Sequence, residues 1–171
     1  KIGARGLVSA VEKVLLKFEK RLPSTDIRKL VVTKKVVENP NQELEWLLQD
    51  PANPEMLEEF EILLSREKMS LKESIQNREA EFKKRYGIEF REGRIDLITT
   101  RMMEKGYDVN TVIEEVAEIQ RQVDRFVRDF ERRLGISLQF KDGAVDRFTE
   151  IVLNEDGKGT ELLSRLSKDY E

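Results

Sequence analysis

The feature that most restricts the fold is a pair of glycine-stopped helix ends recurring about fifty residues apart. "FKKRYGI" (82–88) parallels "FERRLGI" (130–136), displaced by 48 residues between Gly87 and Gly135. "EFREGRIDLI" (89–98) parallels "QFKDGAVDRF" (139–148), displaced by 50 between Gly93 and Gly143, so the second copy carries two extra residues, Ser137 and Leu138. Each copy reads as a helix end, a glycine stop, a short strand, an acidic residue followed by glycine, a new helix, a glycine-containing loop and a further helix. Units repeated in this way bury their apolar faces against one another.

The punctuation within each copy has a physical basis. Glu92 and Asp142 stand where a helix start favours negative charge. Gly87, Gly106 and Gly135 suit the left-handed conformation that ends a helix. Asp108 is placed to cap a long helix whose apolar stripe runs through Val112, Ile113, Val116, Ile119, Val123, Phe126, Val127, Phe130 and Leu134. In the second copy Thr160 takes the capping position, ahead of Leu162, Leu163 and Leu166.

Upstream, Leu7, Val8, Val11, Val14, Leu15, Phe18 and Leu22 recur at helical spacing, which predicts an amphipathic helix over 7–22 stopped by "LPST". "KLVVT" (29–33) reads as a short β-branched strand and "KKVVENP" as a brief helix or turn. All prolines but Pro23 fall between Pro40 and Pro54, which marks a linker carrying one short helix around Trp46 and Leu47. A charged helical region follows over about 55–85. Ser70 and Glu73 have capping-box spacing, so a break is expected near Met69. The opening "LVSAV" (7–11) also lines up with "LLSRL" (162–166), so residues 1–33 look like the second half of one more unit. The fold class is therefore α+β and predominantly α-helical, with short strands near 29–33, 88–90 and 137–140.

Residue types narrow the chemistry. The 171 residues contain neither Cys nor His. Ser-His and Cys-His nucleophilic machinery and the common zinc sites are thereby excluded within this segment, and the lack of Cys suits a reducing cytoplasm. A net charge of −3 gives no global attraction to nucleic acid or anionic membrane. No apolar run approaches the roughly 20 residues of a membrane span. The start on Lys1 and the uncapped end "SRLSKDYE" lead us to expect a piece of a longer protein.

"GARGLVSAVEKVLLKFEKRLPSTDIRKLVVTKKVV" (3–37) resembles the small C-terminal lid domain of AAA+ unfoldases of the Clp/Hsp100 group, in particular of ClpX-like ATPases. In that family a Gly-Ala-Arg-Gly-Leu element starts a helix, which ends in a Leu-Pro-Ser turn followed by a Val-Val-Thr strand. The match covers about the first fifth of the chain. The resemblance implies that Arg5 is a sensor-2 arginine reaching nucleotide phosphates on a neighbouring large domain, with Gly3, Ala4 and Gly6 shaping its turn. It further implies ATP and magnesium in the parent protein, none bound by this segment alone, and a homo-oligomeric ring with a protease, substrate protein or adaptor as partner. On this reading residues 1–40 are the second half of a lid, 41–54 the proline-rich linker, 55–134 a helical region with a first degenerate lid-like copy, and 130–171 a second. The later copies have Gly106-Tyr107-Asp108 and Gly157-Lys158-Gly159 in place of the Gly-Ala-Arg-Gly turn. No G-x-x-x-x-G-K-[ST] loop or apolar strand ending in Asp-Glu is present, so this segment is not expected to hydrolyse ATP by itself.

Other features take plainer readings. The basic run "RQVDRFVRDFERR" (121–133) is interrupted by acids and reads as a solvated helix face rather than a nucleic-acid stripe. The pairs Glu58-Glu59 and Glu114-Glu115 read as surface residues with basic partners along the helices, and Met102-Met103 as core filling. Trp46 is either a packing anchor or a partner contact. The rival to the AAA+ reading is a helical adaptor or oligomerisation module with no nucleotide role.

Overall fold

The structure is a computed structural model that describes the backbone of residues 4–154 and the side chains of residues 11–141 and 143–154. The described chain forms eight α-helices and one 3-10 turn, and divides into two compact units between Arg66 and Glu67. The first holds α1 (Ala4–Arg21), the 3-10 turn (Leu22–Ser24), α2 (Lys34–Glu38), α3 (Pro40–Gln49) and the start of α4 (Pro54–Asn77). The second holds the rest of α4, α5 (Glu79–Tyr86), α6 (Glu92–Lys105), α7 (Val109–Leu134) and α8 (Asp142–Asn154).

In the first unit local chemistry sets each boundary. Pro23 lies in the 3-10 turn, where a missing N–H costs little, and the Thr25 hydroxyl donates back to the Leu22 carbonyl at 2.7 Å. The Thr33 hydroxyl accepts from Val36 N and caps α2, while the Asn53 side-chain oxygen accepts from Met56 N at 3.1 Å and caps α4. The core gathers Phe18, Ile27, Val31, Val36, Leu44, Leu47 and Met56.

Residues 29–33 are not a strand, contrary to the sequence expectation. Val31 does turn inward while Val32 is exposed, but Val31 packs with residues of α1, α2 and α3, and among the described residues no second segment offers a ladder. The stretch 41–54 is more than a connection. Pro40 occupies the first position of α3, a place that suits a residue without an N–H, and α3 sends Leu44 and Leu47 into the core. The break expected near Met69 is absent. Half-buried Leu71 and fully buried Ile75 continue the apolar stripe, so α4 runs unbroken to Asn77.

The second unit follows the repeat closely. Gly87, Gly106 and Gly135 have φ of 71°, 66° and 64°, and their N–H groups donate to the carbonyls of Lys83, Met102 and Glu131. Asp108 caps α7 by accepting from the backbone N–H groups of Asn110 and Thr111. The core is built from Phe82, Ile88, Phe90, Ile98, the inward stripe of α7 from Val112 to Val123, and Phe148, Val152 and Leu153 of α8. Along α7 the stripe fades outward: Phe126, Val127 and Phe130 are half-buried and Leu134 is exposed.

The repeat extends into side-chain detail. Thr99 on α6 and Thr149 on α8 stand 50 residues apart and are both buried. Each hydroxyl donates to the carbonyl four residues back, Ile95 O at 2.7 Å and Val145 O at 2.8 Å. The strands expected at 88–90 and 137–140 do not form. Ile88 and Phe90 alternate into the core as strand residues do, with the Phe90 ring 5.9 Å from that of Phe82 on α5, yet among the described residues there is no strand. The helix expected after Thr160, with Leu162, Leu163 and Leu166, and the turn Gly157-Lys158-Gly159 lie outside the described residues.

Candidate functional site

Three places carry the chemistry-bearing residues. The first is the start of α1, which begins at Ala4, so Ala4, Arg5 and Gly6 occupy its first turn. A helix start points unpaired backbone N–H groups outward and favours anions. Gly3 and the side chains of Ala4 and Arg5 lie outside what the structure describes.

The second is an arginine cluster in the second unit. Arg94, only 7% exposed, reaches from α6 to α8, where Asp146 accepts from Nε and Nη2 at 2.8 Å through one carboxylate oxygen. Nη2 also donates to Gln120 Oε1 at 3.1 Å, and Nη1 to the Glu89 carbonyl at 3.4 Å. A buried guanidinium is tolerable only when its charge and donors are met in this way. The cluster borders a cleft of about 540 Å³ rimmed by Glu89, Asp124 and Arg128. The hydrogen bond from Lys83 holds the Glu89 carboxyl below its usual range.

On the same face of α6, two turns beyond Arg94, Arg101 donates to Leu153 O at 3.0 Å and to Glu115 Oε2 at 3.4 Å. Asp96 and Asp146 are repeat equivalents, and each is held by a cation: Asp96 by Lys72, with Lys68 at 3.8 Å, and Asp146 by Arg94. These arginines therefore fasten one copy to the other. Sequence reasoning missed them. The available signal was position 94, where the repeat pairs an arginine with Ala144.

The third place is a cleft in the first unit beside Trp46. It holds about 440 Å³ and is lined by parts of α1, α2, α3 and α4. Trp46 is 46% exposed on its rim, whereas Leu44 and Leu47 of the same helix are buried.

The remaining sequence candidates are spread out. Glu58 and Glu59 are exposed on α4, Glu114 is exposed on α7, and Glu115 faces Arg101. Most of the charged residues of 121–133 lie on the solvated face of α7, where Arg121 and Arg125 both bind Glu118. The hydrogen bond from Arg121, seconded by Gln122, keeps the Glu118 carboxyl below its usual range. Met102 packs against the core of the second unit. Among the described residues no group of three or more acidic side chains could hold a metal ion, and no helix is long and apolar enough to cross a membrane. No protein-family model, curated protein or solved structure matches this chain.

Proposed function

We propose that this chain is a C-terminal portion of a Clp-type AAA+ ATPase, in which Arg5 serves as the sensor-2 arginine and the following helical units extend the lid. The observation that carries the reading is the position of Arg5 in the first turn of a helix that runs straight to the Leu22–Ser24 turn. A planar, permanently charged guanidinium beside outward-pointing backbone N–H groups is well matched to phosphate oxygens. Such a group stabilises charge as the terminal phosphate leaves and couples nucleotide state to the orientation of the lid. The phosphate loop and the magnesium-binding acids would be supplied by a neighbouring domain, as would the hydrolytic chemistry. Around a ring, the lid movement would become work on a threaded polypeptide.

The decisive test is the coding sequence upstream of Lys1. A phosphate-loop motif followed by an apolar strand ending in Asp-Glu is the expected result. An upstream region with neither removes the ATPase reading. It would leave a helical adaptor or oligomerisation module, which the exposed Ile62, Leu63 and Leu64 on α4 favour. Sedimentation of the chain separates that case further, because a module of this kind is expected to form stable dimers.

A further inference from the structure

The cleft beside Trp46 has a composition that the nucleotide reading leaves unused. Its floor is apolar and closed by the buried side chains of Phe18, Leu47 and Met56. Three carboxylates and one ammonium line it: Glu43 from α3, Glu55 and Glu59 from α4, and Lys35 from α2. Glu43 and Trp46 are three residues apart and share one face of α3, while Glu55 and Glu59 are four apart and share one face of α4. Glu55 lies in the first turn of α4, where negative charge is favoured by the helix itself. Glu43 lies likewise in the first turn of α3, and no such account covers Glu59. None of the three glutamates makes an ion pair or side-chain hydrogen bond with another described residue, although Glu38 and Glu61 of the same unit do. Trp46 is 46% exposed at the rim, whereas Leu44 and Leu47 of the same helix are buried in the core.

We propose that this cleft binds a short peptide segment of a partner protein in which a lysine or arginine stands next to a large apolar side chain. The apolar side chain fills the floor over Phe18, Leu47 and Met56, where burial supplies affinity. The cation lies against the indole of Trp46, within reach of the rim carboxylates, which combines cation–π attraction with charge pairing. The excess of carboxylates over ammonium in the lining selects this sign of partner and disfavours acidic segments. The assignment does not depend on Arg5 or on nucleotide.

Trp46 is the single tryptophan of the chain, so its emission reports on the cleft directly. The full chain is screened against an array of random short peptides, and a selected peptide is then titrated while Trp46 fluorescence is followed. The expected bound set is rich in Lys or Arg beside Leu, Ile, Phe or Met, and the emission change saturates. Replacing the basic residues of that peptide by Glu is expected to abolish the change. The double substitution E55Q/E59Q weakens binding about tenfold, as two partly screened charge pairs should, and raising the salt concentration weakens wild-type binding in the same direction. A bound set without basic enrichment, an array that retains nothing, or equal binding of basic and acidic peptides overturns the proposal. So does a Trp46 signal that changes with protein concentration alone, which would make a second copy of this chain the occupant.

Discussion

Seven buried apolar side chains form the core of the first unit and fifteen that of the second, counting described residues. In the second unit several helix ends are fixed chemically, as Thr33 and Asn53 fix helix starts in the first. Left-handed glycines end α5, α6 and α7, Asp108 starts α7, and Arg94 and Arg101 tie the repeat copies together. Irregular chain serves both cores, through Ile27 and Val31 in the first unit and Ile88 and Phe90 in the second. Yet it is the first unit that carries Arg5 and the cleft with unpaired carboxylates. A unit with a cleft lined by unpaired carboxylates suits binding, and one whose repeat copies are tied together by Arg94 and Arg101 suits a brace.

The comparison can be broken most sharply in the two cores. Phe82→Ala removes a fully buried ring that stacks at 5.9 Å from Phe90 and lies under the Arg78 guanidinium. It should cost about 3–5 kcal/mol, read as a lowered denaturation midpoint of the main helical circular-dichroism signal. Phe18→Ala should cost a similar amount, but its effect should appear first in Trp46 emission, which reports the first unit. Simultaneous loss of both signals in both variants would show that the units do not differ in this way.

The arginine tie between the copies comes next. Asp146→Ala leaves Arg94 buried without its counter-charge and should destabilise the second unit by about 3 kcal/mol. The double variant R94M/D146A should recover most of that loss, which a thermal melt of all three proteins would show. If the double variant is no better than the single, the pair is not the source of the effect.

Smaller effects belong to the helix ends. A Cβ at Gly106 would meet nothing within 4 Å, so Gly106→Ala is charged only for its left-handed backbone, about 1–2 kcal/mol. Thr33→Ala removes the cap of α2 in the first unit at about 1 kcal/mol, visible in urea titrations followed by Trp46.

Acid should act on the second unit. Glu81 is held down by the hydrogen bond from Arg78, Glu89 by Lys83, Asp108 by the Thr111 hydroxyl, and Glu118 by Arg121. Because folding lowers these values, the unfolded chain binds more protons. The stabilisation is complete above the unfolded carboxyl range of about 4 and is lost as pH falls through the lower folded values. Urea midpoints from circular dichroism should therefore drop between neutral and strongly acid pH, and an unchanged midpoint would contradict the assignment.

Much of the second unit was legible because glycine and aspartate act locally. Gly87, Gly106, Gly135 and Asp108 do in the structure what their positions imply. The three expected strands failed for one shared reason. The apolar run at 30–32 and the alternation at 88–90 satisfy a core equally well when helices cover them, and pairing is a property of a second segment that no local pattern reveals. The break expected at Met69 failed because a capping-box spacing inside an unbroken apolar stripe does not end a helix. Arg94 and Asp146 were invisible because their meeting depends on α6 packing against α8. Trp46 was open to two readings, and the structure shows it 46% exposed beside buried Leu44 and Leu47.

The central proposal is that Arg5, in the first turn of the helix that starts at Ala4, contacts a nucleotide held by a neighbouring domain of a longer polypeptide. ATP turnover of that polypeptide, measured for wild type and Arg5→Ala, tests it most directly, with Arg5→Lys alongside to separate charge from guanidinium geometry. The account predicts that Arg5→Ala lowers turnover by about a hundredfold, as loss of one positioned transition-state donor does, with Arg5→Lys recovering only part. Undiminished turnover in Arg5→Ala would contradict it.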